Sequence, residues 1–259
     1  MQELRDTQSE PDDRNLPIDR VGVKALRFPI ELKDKANEVQ NTVATVSMAV
    51  DLPQEYKGTH MSRFVEVLNA HGPSLSVRDM SAIPGELLDR LDAERAHLVI
   101  NFPFFLAKPA PETGAVGLMD YQVTFEVDAS RGAMDFVVTV EVPVTTLCPC
   151  SKAISARGAH NQRGIVTYAV RFGKPIWIED LVRLVETCAS SELYSLLKRP
   201  DEKNVTERAF DNPVFVEDLV RNIAARSNAQ ENIVWYRVEA ENFESIHNHN
   251  AYAMIEKDA

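Results

Sequence analysis

The order in which two periodicities alternate along the chain constrains its fold more than any single motif. TVATVSMAVDLP, residues 42–53, sets Ala44, Val46, Met48 and Val50 against Val43, Thr45, Ser47 and Ala49, the two-residue repeat of a half-buried strand. Before it, GVKALRFPIELKD (22–34) reads as an extended segment interrupted by Pro29. After it the period changes. MSRFVEVLNAHG (61–72) puts Met61, Phe64, Val65 and Leu68 at helical spacing, with Gly72 as a stop. A second helix is expected over 75–93, with Leu87, Leu88 and Leu91 as its core stripe. HLVINFPFFLAK (97–108) and LMDYQVTFEVDA (118–129) return to strand.

Past the turn Ser130-Arg131-Gly132 the same order begins again. AMDFVVTVEVPV (133–144) and RGIVTYAVRFG (163–173) read as strands. IWIEDLVRLVETCASSELYSLL (176–197) reads as one long helix with Leu181, Leu184, Val185 and Cys188 on a face. VFVEDLVRNIAARS (214–227) reads as a second, opened by an Asn212 cap and Pro213. NIVWYRVEAEN (232–242) and NAYAMIEK (250–257) close the chain as strands. The pattern is ββααββ twice, which implies an α+β fold of antiparallel sheets with helices on one face. The expected organisation is a disordered acidic tail over 1–13 and two domains, 14–130 and 131–259. Units this small leave sheet edges to cover, so oligomerisation is expected.

Composition narrows the function. Hydrophobic residues make up 44% and charged residues 26%, enough for a proper core. No apolar run approaches the ~18–20 residues of a membrane span, and MQELRDTQSEPDDRN lacks the layout of a secretory signal. The cytoplasm is the default location. A net charge of −11 argues against nucleic acid as a partner, because nucleic-acid binders carry a basic footprint. It leaves room for a small polyanion held by local basic groups in a cleft.

Four segments carry chemistry-bearing residues. In LCPCSKAISARGAHNQR (147–163) two of the three cysteines stand one residue apart, with His160 beyond them. Cys148 and Cys150 are too close for an ordinary structural disulfide, and a reducing compartment favours metal binding or catalysis. Cys148 and His160 suit a zinc-type donor pair or a nucleophile and its base; a buried inert thiol explains the cysteine equally well. Cys-x-Cys-x9-His matches no zinc finger, so a metal here implies an open site. ENFESIHNHN (241–250) places His247 and His249 on one face of an extended segment, beside Glu241 and Glu244. LLKRPDEKNVTERAF (196–210), with Glu202 and Lys203, reads on its own as a solvated connection. KGTHMSRF (57–64) sets His60 at a helix start between Lys57 and Arg63, an arrangement suited to phosphate and equally to plain capping. No Walker or dinucleotide glycine motif occurs.

In this order KGTHMSRF, PVTTLCPCSKAIS, GAHNQR, LLKRPDEK and ESIHNH closely resemble GTP cyclohydrolase type IB, a prokaryotic family. RNLPIDRVGVKALRFPI resembles that family's opening, so the likeness runs from about residue 14 to the C-terminus. The resemblance implies two tandem tunnelling-fold units and a homotetramer with active sites at subunit interfaces. The implied reaction converts GTP and water to 7,8-dihydroneopterin triphosphate and formate, the entry to tetrahydrofolate synthesis, with a divalent metal, Zn²⁺ or Mn²⁺. It implies Cys148, His160, Glu202 and His247 as metal-associated residues, and Glu217 of NPVFVEDLVR as the anchor of the guanine edge. Glu244 and His249 would handle protons, so the catalytic set is Cys148, His160, Glu244 and His249. Lys57, His60, Arg63, Lys152, Arg163, Lys198 and Arg199 are the basic groups nearest the motifs for the triphosphate. The rival readings are a tunnelling-fold reductase with Cys148 as nucleophile and a non-catalytic purine-binding or zinc-storage protein.

Overall fold

The computed structural model describes residues 6, 8, 10–35, 39–73 and 77–257. Its strands are β1 (Ile18–Leu32), β2 (Gln40–Leu52), β3 (Arg95–Pro109), β4 (Val116–Ser130), β5 (Ala133–Leu147), β6 (Asn161–Phe172), β7 (Ser191–Glu192), β8 (Ile233–Asn242) and β9 (Ala251–Glu256). They hydrogen-bond in the order β1-β2-β3-β4-β5-β6-β8-β9, with the short β7 beside β5. The helices are α1 (Met61–His71), α2 (Val77–Leu91), α3 (Pro149–Ile154), α4 (Ile178–Glu186), α5 (Arg199–Asp211) and α6 (Val216–Asn228). Among the described residues no helix is long and apolar enough to cross a membrane. The chain divides into two compact units: one runs to Phe102 and adds Thr124–Val137, and the other takes Pro103–Val123 and everything from Val138.

In the first unit β1 and β2 pair antiparallel, with Leu26 opposite Val46 and Phe28 opposite Ala44, and β2 pairs β3 with Val46 opposite Ile100. The alternation read in TVATVSMAVDLP decides the buried face, since Ala44, Val46, Met48 and Val50 are all buried. Phe64, Val67 and Leu68 of α1 and Met80, Ile83, Leu87 and Leu88 of α2 are buried with them. Gly22 lies against the Met48 carbonyl, where no side chain fits. The described part of the acidic segment 1–13 is tied to the 55–59 loop: Gly58 N–H donates to Gln8 O (3.1 Å) and Lys57 N–H to Glu10 O (3.1 Å). Gln8 Nε2 donates to Thr59 O (2.7 Å).

In the second unit β5 pairs β6, β6 pairs β8 and β8 pairs β9, all antiparallel. Val138, Val140, Val142 and Val144 of β5, Val166 and Val170 of β6, and Val238 and Ala240 of β8 are buried, as are Leu219, Val220 and Ile223 of α6, which packs on β8 and β9. Tyr168 hydroxyl donates to Ser227 Oγ at 2.6 Å, and Ser227 Oγ donates to Ile223 O at 2.8 Å, which pins α6 to the sheet.

Three expectations about this unit change. The helix expected over 176–197 ends at Glu186, whose carboxylate accepts from Lys108 Nζ (2.6 Å) and the Tyr121 hydroxyl (2.8 Å). Beyond it Ser190 Oγ accepts from Leu147 N–H (3.0 Å), and Ser191 and Glu192 pair with β5, so sheet contacts override the helical period. The 196–210 segment expected as a solvated connection instead holds nearly all of α5. Helix α6 is capped at Phe215, three residues later than the Asn212-Pro213 start read from sequence.

Asp201 explains why α5 forms. Its fully buried carboxylate accepts from Lys198 N–H (2.8 Å), Glu112 N–H (2.9 Å), Thr113 N–H (2.9 Å) and the Thr113 hydroxyl (2.7 Å). It therefore caps the helix and anchors the β3–β4 turn. Burial pushes this carboxyl up, but the Thr113, Lys198 and Glu112 donors outweigh it and hold the pKa at about 2. A depressed folded-state pKa contributes stability that is present above the unfolded value of ~3.9 and is lost as pH falls toward 2. Asp201→Asn should melt at a lower temperature than wild type at pH 7, and the gap should narrow as the pH is lowered from about 4 to 2. Thermal melts that stay parallel over that range would refute this role.

Candidate active site

The site begins with strand register. From Val138↔Val170 to Leu147↔Asn161, β5 and β6 pair without a break. The next residues in that register are Cys148 and His160, and Cys148 N–H donates to His160 O at 3.1 Å. The eleven residues between them, including α3, form an excursion that starts and returns at one place. Ser151 ties it shut: its N–H donates to Cys148 Sγ (3.4 Å) and its Oγ accepts from His160 N–H (2.9 Å).

A polar chain below fixes the His160 ring. Nδ1 lies 3.0 Å from Gln162 Oε1 and 3.7 Å from Glu244 Oε2. Gln162 Nε2 donates in turn to Thr146 Oγ1 at 2.8 Å, which turns the amide oxygen toward the imidazole. With two acceptors facing it, Nδ1 carries the proton, and Nε2 keeps its lone pair free for a ligand. His247 meets His160 edge-on at 6.3 Å between ring centroids, and His249 stacks on His247 at 5.1 Å.

These groups line a cavity of about 250 Å³ with Glu217, Gln162, Asn242 and Phe215. Glu217 stands in the first turn of α6. The arrangement gathers one thiol, three imidazoles and two carboxylates, which is chemistry for holding a divalent ion and moving protons. Two of these groups suit such an ion: the Cys148 sulfur and the oriented His160 nitrogen are zinc-type ligands, and His160 has the hydrogen-bonded support usual for metal-bound imidazole. Among the described residues no third donor converges with them at ligand spacing.

Six of the residues read from sequence meet here: Cys148, His160, Glu217, Glu244, His247 and His249. Glu202, Lys198 and Arg199 stand exposed at the start of α5, and Arg163 is exposed on β6, facing away from Gln162. Lys152 lies over the Phe210 ring at 4.3 Å. Lys57, His60 and Arg63 belong to the first unit: Lys57 pairs with Glu10 (3.4 Å), His60 with Asp6 (3.1 Å), and Arg63 donates to Arg90 O (3.0 Å). Cys150 is exposed on α3, and all three cysteines are free thiols.

Sequence reasoning missed the Thr146–Gln162 support, although Gln162 stands two residues from His160, at the start of β6. It also missed a cluster in the first unit. His97 Nδ1 lies 2.8 Å from Asp128 Oδ1 and its Nε2 3.8 Å from Glu126 Oε1, so the three offer ligand atoms close together. The signal was Glu126 and Asp128 on the same face of one strand. Both imidazole nitrogens face carboxylates, an arrangement that suits an imidazolium ion pair as well as a cation.

The fold defines the class. The chain is similar to uricase from Arthrobacter globiformis, with a TM-score of 0.55 at 9% identity over 93% of this chain and 94% of that one. It is equally similar to urate oxidase from Bacillus sp. TB-90, with a TM-score of 0.55 at 7% identity over 93% of this chain and 99% of that one. These are tunnelling-fold proteins, and at such identity the likeness concerns the fold alone. Sequence goes further. The model of type I GTP cyclohydrolase FolE2 matches residues 4–253. GTP cyclohydrolase FolE2 of Akkermansia muciniphila is 67% identical over 261 residues, covering 100% of this chain and 99% of that protein. The protein of the same name from Syntrophobacter fumaroxidans is 57% identical over 254 residues, covering 97% and 98%. The chain belongs to the type I GTP cyclohydrolase FolE2 family.

The thiols give a direct check on the site. Cys188 is buried, its S–H donates to Leu184 O (3.2 Å), and burial pushes its thiol up to about 11 despite the Arg226 charge. A thiol-specific disulfide reagent should therefore modify Cys148 and Cys150 in the native protein and reach Cys188 only on unfolding. Modification of Cys188 at the rate of Cys150 would contradict this packing.

Proposed function

We propose that this protein is a metal-dependent GTP cyclohydrolase of type IB, converting GTP and water to 7,8-dihydroneopterin triphosphate and formate. One observation carries the reading: Cys148, His160, Glu217, Glu244, His247 and His249 share one cavity. Cys148 and His160 would hold the ion, Zn²⁺ or Mn²⁺, with His247 and Glu202 associated with it. Such an ion supplies Lewis-acid chemistry, making water a nucleophile near neutral pH.

The chain's own residues do the rest. Glu217 accepts from the guanine N1–H and 2-amino group as a charge-assisted pair, which orients C8 toward Cys148 and His160. Opening the imidazole ring needs a proton on N7, because C8 of the neutral purine is a poor electrophile. His249, stacked on His247, would deliver that proton, with Glu244 assisting the transfer. General acid–base help of this kind is worth ~10²–10⁴-fold. Addition of water at C8 and cleavage of C8–N9 give a formamide. Its hydrolysis consumes a second water and releases formate, and closure of the pterin ring returns one, so the net consumption is a single water.

The triphosphate would be met by basic residues among Lys57, His60, Arg63, Arg163, Lys198 and Arg199. We read the chain as two tandem tunnelling-fold domains, 14–130 and 131–259, in a cytoplasmic homotetramer with active sites at subunit interfaces. Support comes from the outer strands, where exposed Ile18 of β1 and Tyr252 and Met254 of β9 leave apolar surface at the sheet edges.

Incubation with GTP should release formate and a product that fluoresces as neopterin after oxidation; neither appearing with Zn²⁺ or with Mn²⁺ would overturn the reading. Cys148→Ala should abolish turnover. Gln162→Ala should lower metal affinity by ~10–100-fold through loss of His160 orientation, read by chelator competition, and unchanged affinity would refute that support.

A further inference from the structure

Asn242 ends β8 with its side chain on the core face, and the residue is 2% exposed. It stands across from Gly164 on β6 and Ala251 on β9, two of the smallest residues available. Gly164 is what makes room for it: a Cβ built there would collide with Asn242 Oδ1. Yet that oxygen, buried against Gly164, accepts no hydrogen bond from any described residue, and the Asn242 side chain is part of the wall of the cavity that also contains Glu217. A buried carbonyl without a donor destabilises the free protein, and native structures rarely keep one without use. The Thr146–Gln162–His160 chain of the same unit is satisfied at every link given above, so the unmet acceptor near the site, among the described residues, is Asn242 Oδ1.

We propose that Asn242 Oδ1 reads the exocyclic amine of the substrate purine and makes the site selective for guanine. The inference rests on the GTP reading above and deepens it. Guanine's edge offers three N–H hydrogens, one at N1 and two on the 2-amine. A carboxylate beside that edge has two oxygens, which take the N1 hydrogen and one amine hydrogen. The second amine hydrogen needs a separate acceptor. Among the described residues that line this cavity, Asn242 carries the buried acceptor with no donor of its own, and a turn of its amide would bring that oxygen to the ligand. Hypoxanthine lacks the amine and leaves Oδ1 unpaired, while xanthine sets a carbonyl against it, so both are disfavoured.

The test compares GTP with ITP as substrates of the metal-loaded full chain, wild type and Asn242→Ala. Wild type should prefer GTP, and the ratio of kcat/KM values should fall by ~10–100-fold in the variant, the loss expected for one buried hydrogen bond. The variant should melt no lower than wild type, because it removes an unpaired acceptor; a lower melting temperature with an unchanged ratio would make Asn242 structural and overturn the proposal. Should the variant not fold, wild type alone decides. N2-methyl-GTP keeps one amine hydrogen for Glu217 and lacks the other, so it should compete with GTP ~10-fold or more weakly than unlabelled GTP does against a labelled tracer, and equal competition overturns the proposal. Absence of any GTP turnover in wild type would instead strike at the GTP reading itself.

Discussion

Everything in the site depends on the unbroken antiparallel register between β5 and β6. Ladder hydrogen bonds from Val138↔Val170 to Leu147↔Asn161 leave Cys148 and His160 as the next facing pair. A one-residue slip of β6 against β5 would turn the core face of β6 outward, sending Val166 into solvent as well as separating the thiol from the imidazole. The apolar burial that fixes the register therefore also fixes the donor pair. Stability and chemistry share a single constraint.

The same strands change character at one end. Their core face is valine and tyrosine along most of its length, then turns polar at Thr146 of β5 and Gln162 of β6, as the neighbouring β8 does at Asn242. Polar groups at such depth are tolerated when each has a partner. Thr146, Gln162 and His160 partner one another, and the result is an imidazole with a defined tautomer. Helix α6 closes the other side and brings Glu217 over this polar floor from its first turn. Among the described residues of this floor, Asn242 Oδ1 is the one left without a donor.

The sequence made some of this plain and hid the rest for identifiable reasons. Strand β2 and helices α1 and α6 were legible because one face is buried and the other wet, so periodicity reports them directly. The 176–197 segment was misread because Cys188 and Ala189 stay buried past the end of α4, and apolar spacing cannot distinguish that from more helix. Helix α5 was hidden because its N-terminus is built around Asp201, whose partners Glu112 and Thr113 lie some ninety residues earlier. In the site, Cys148, His160, His247 and His249 were visible as rare residues at short spacing. Gln162 and Asn242 were not, since an amide in a strand is common and its meaning lies in what it faces. The His97–Glu126–Asp128 cluster escaped for a similar reason, because its members come from two strands.

That cluster offers only nitrogen and oxygen donors, whereas the Cys148–His160 pair offers sulfur. X-ray absorption on the zinc-loaded full chain at one ion per chain distinguishes them. The account predicts a sulfur neighbour at ~2.3 Å together with nitrogen at ~2.0–2.1 Å, the sulfur signal vanishing in Cys148→Ser. A shell of nitrogen and oxygen alone in the wild-type protein would contradict it.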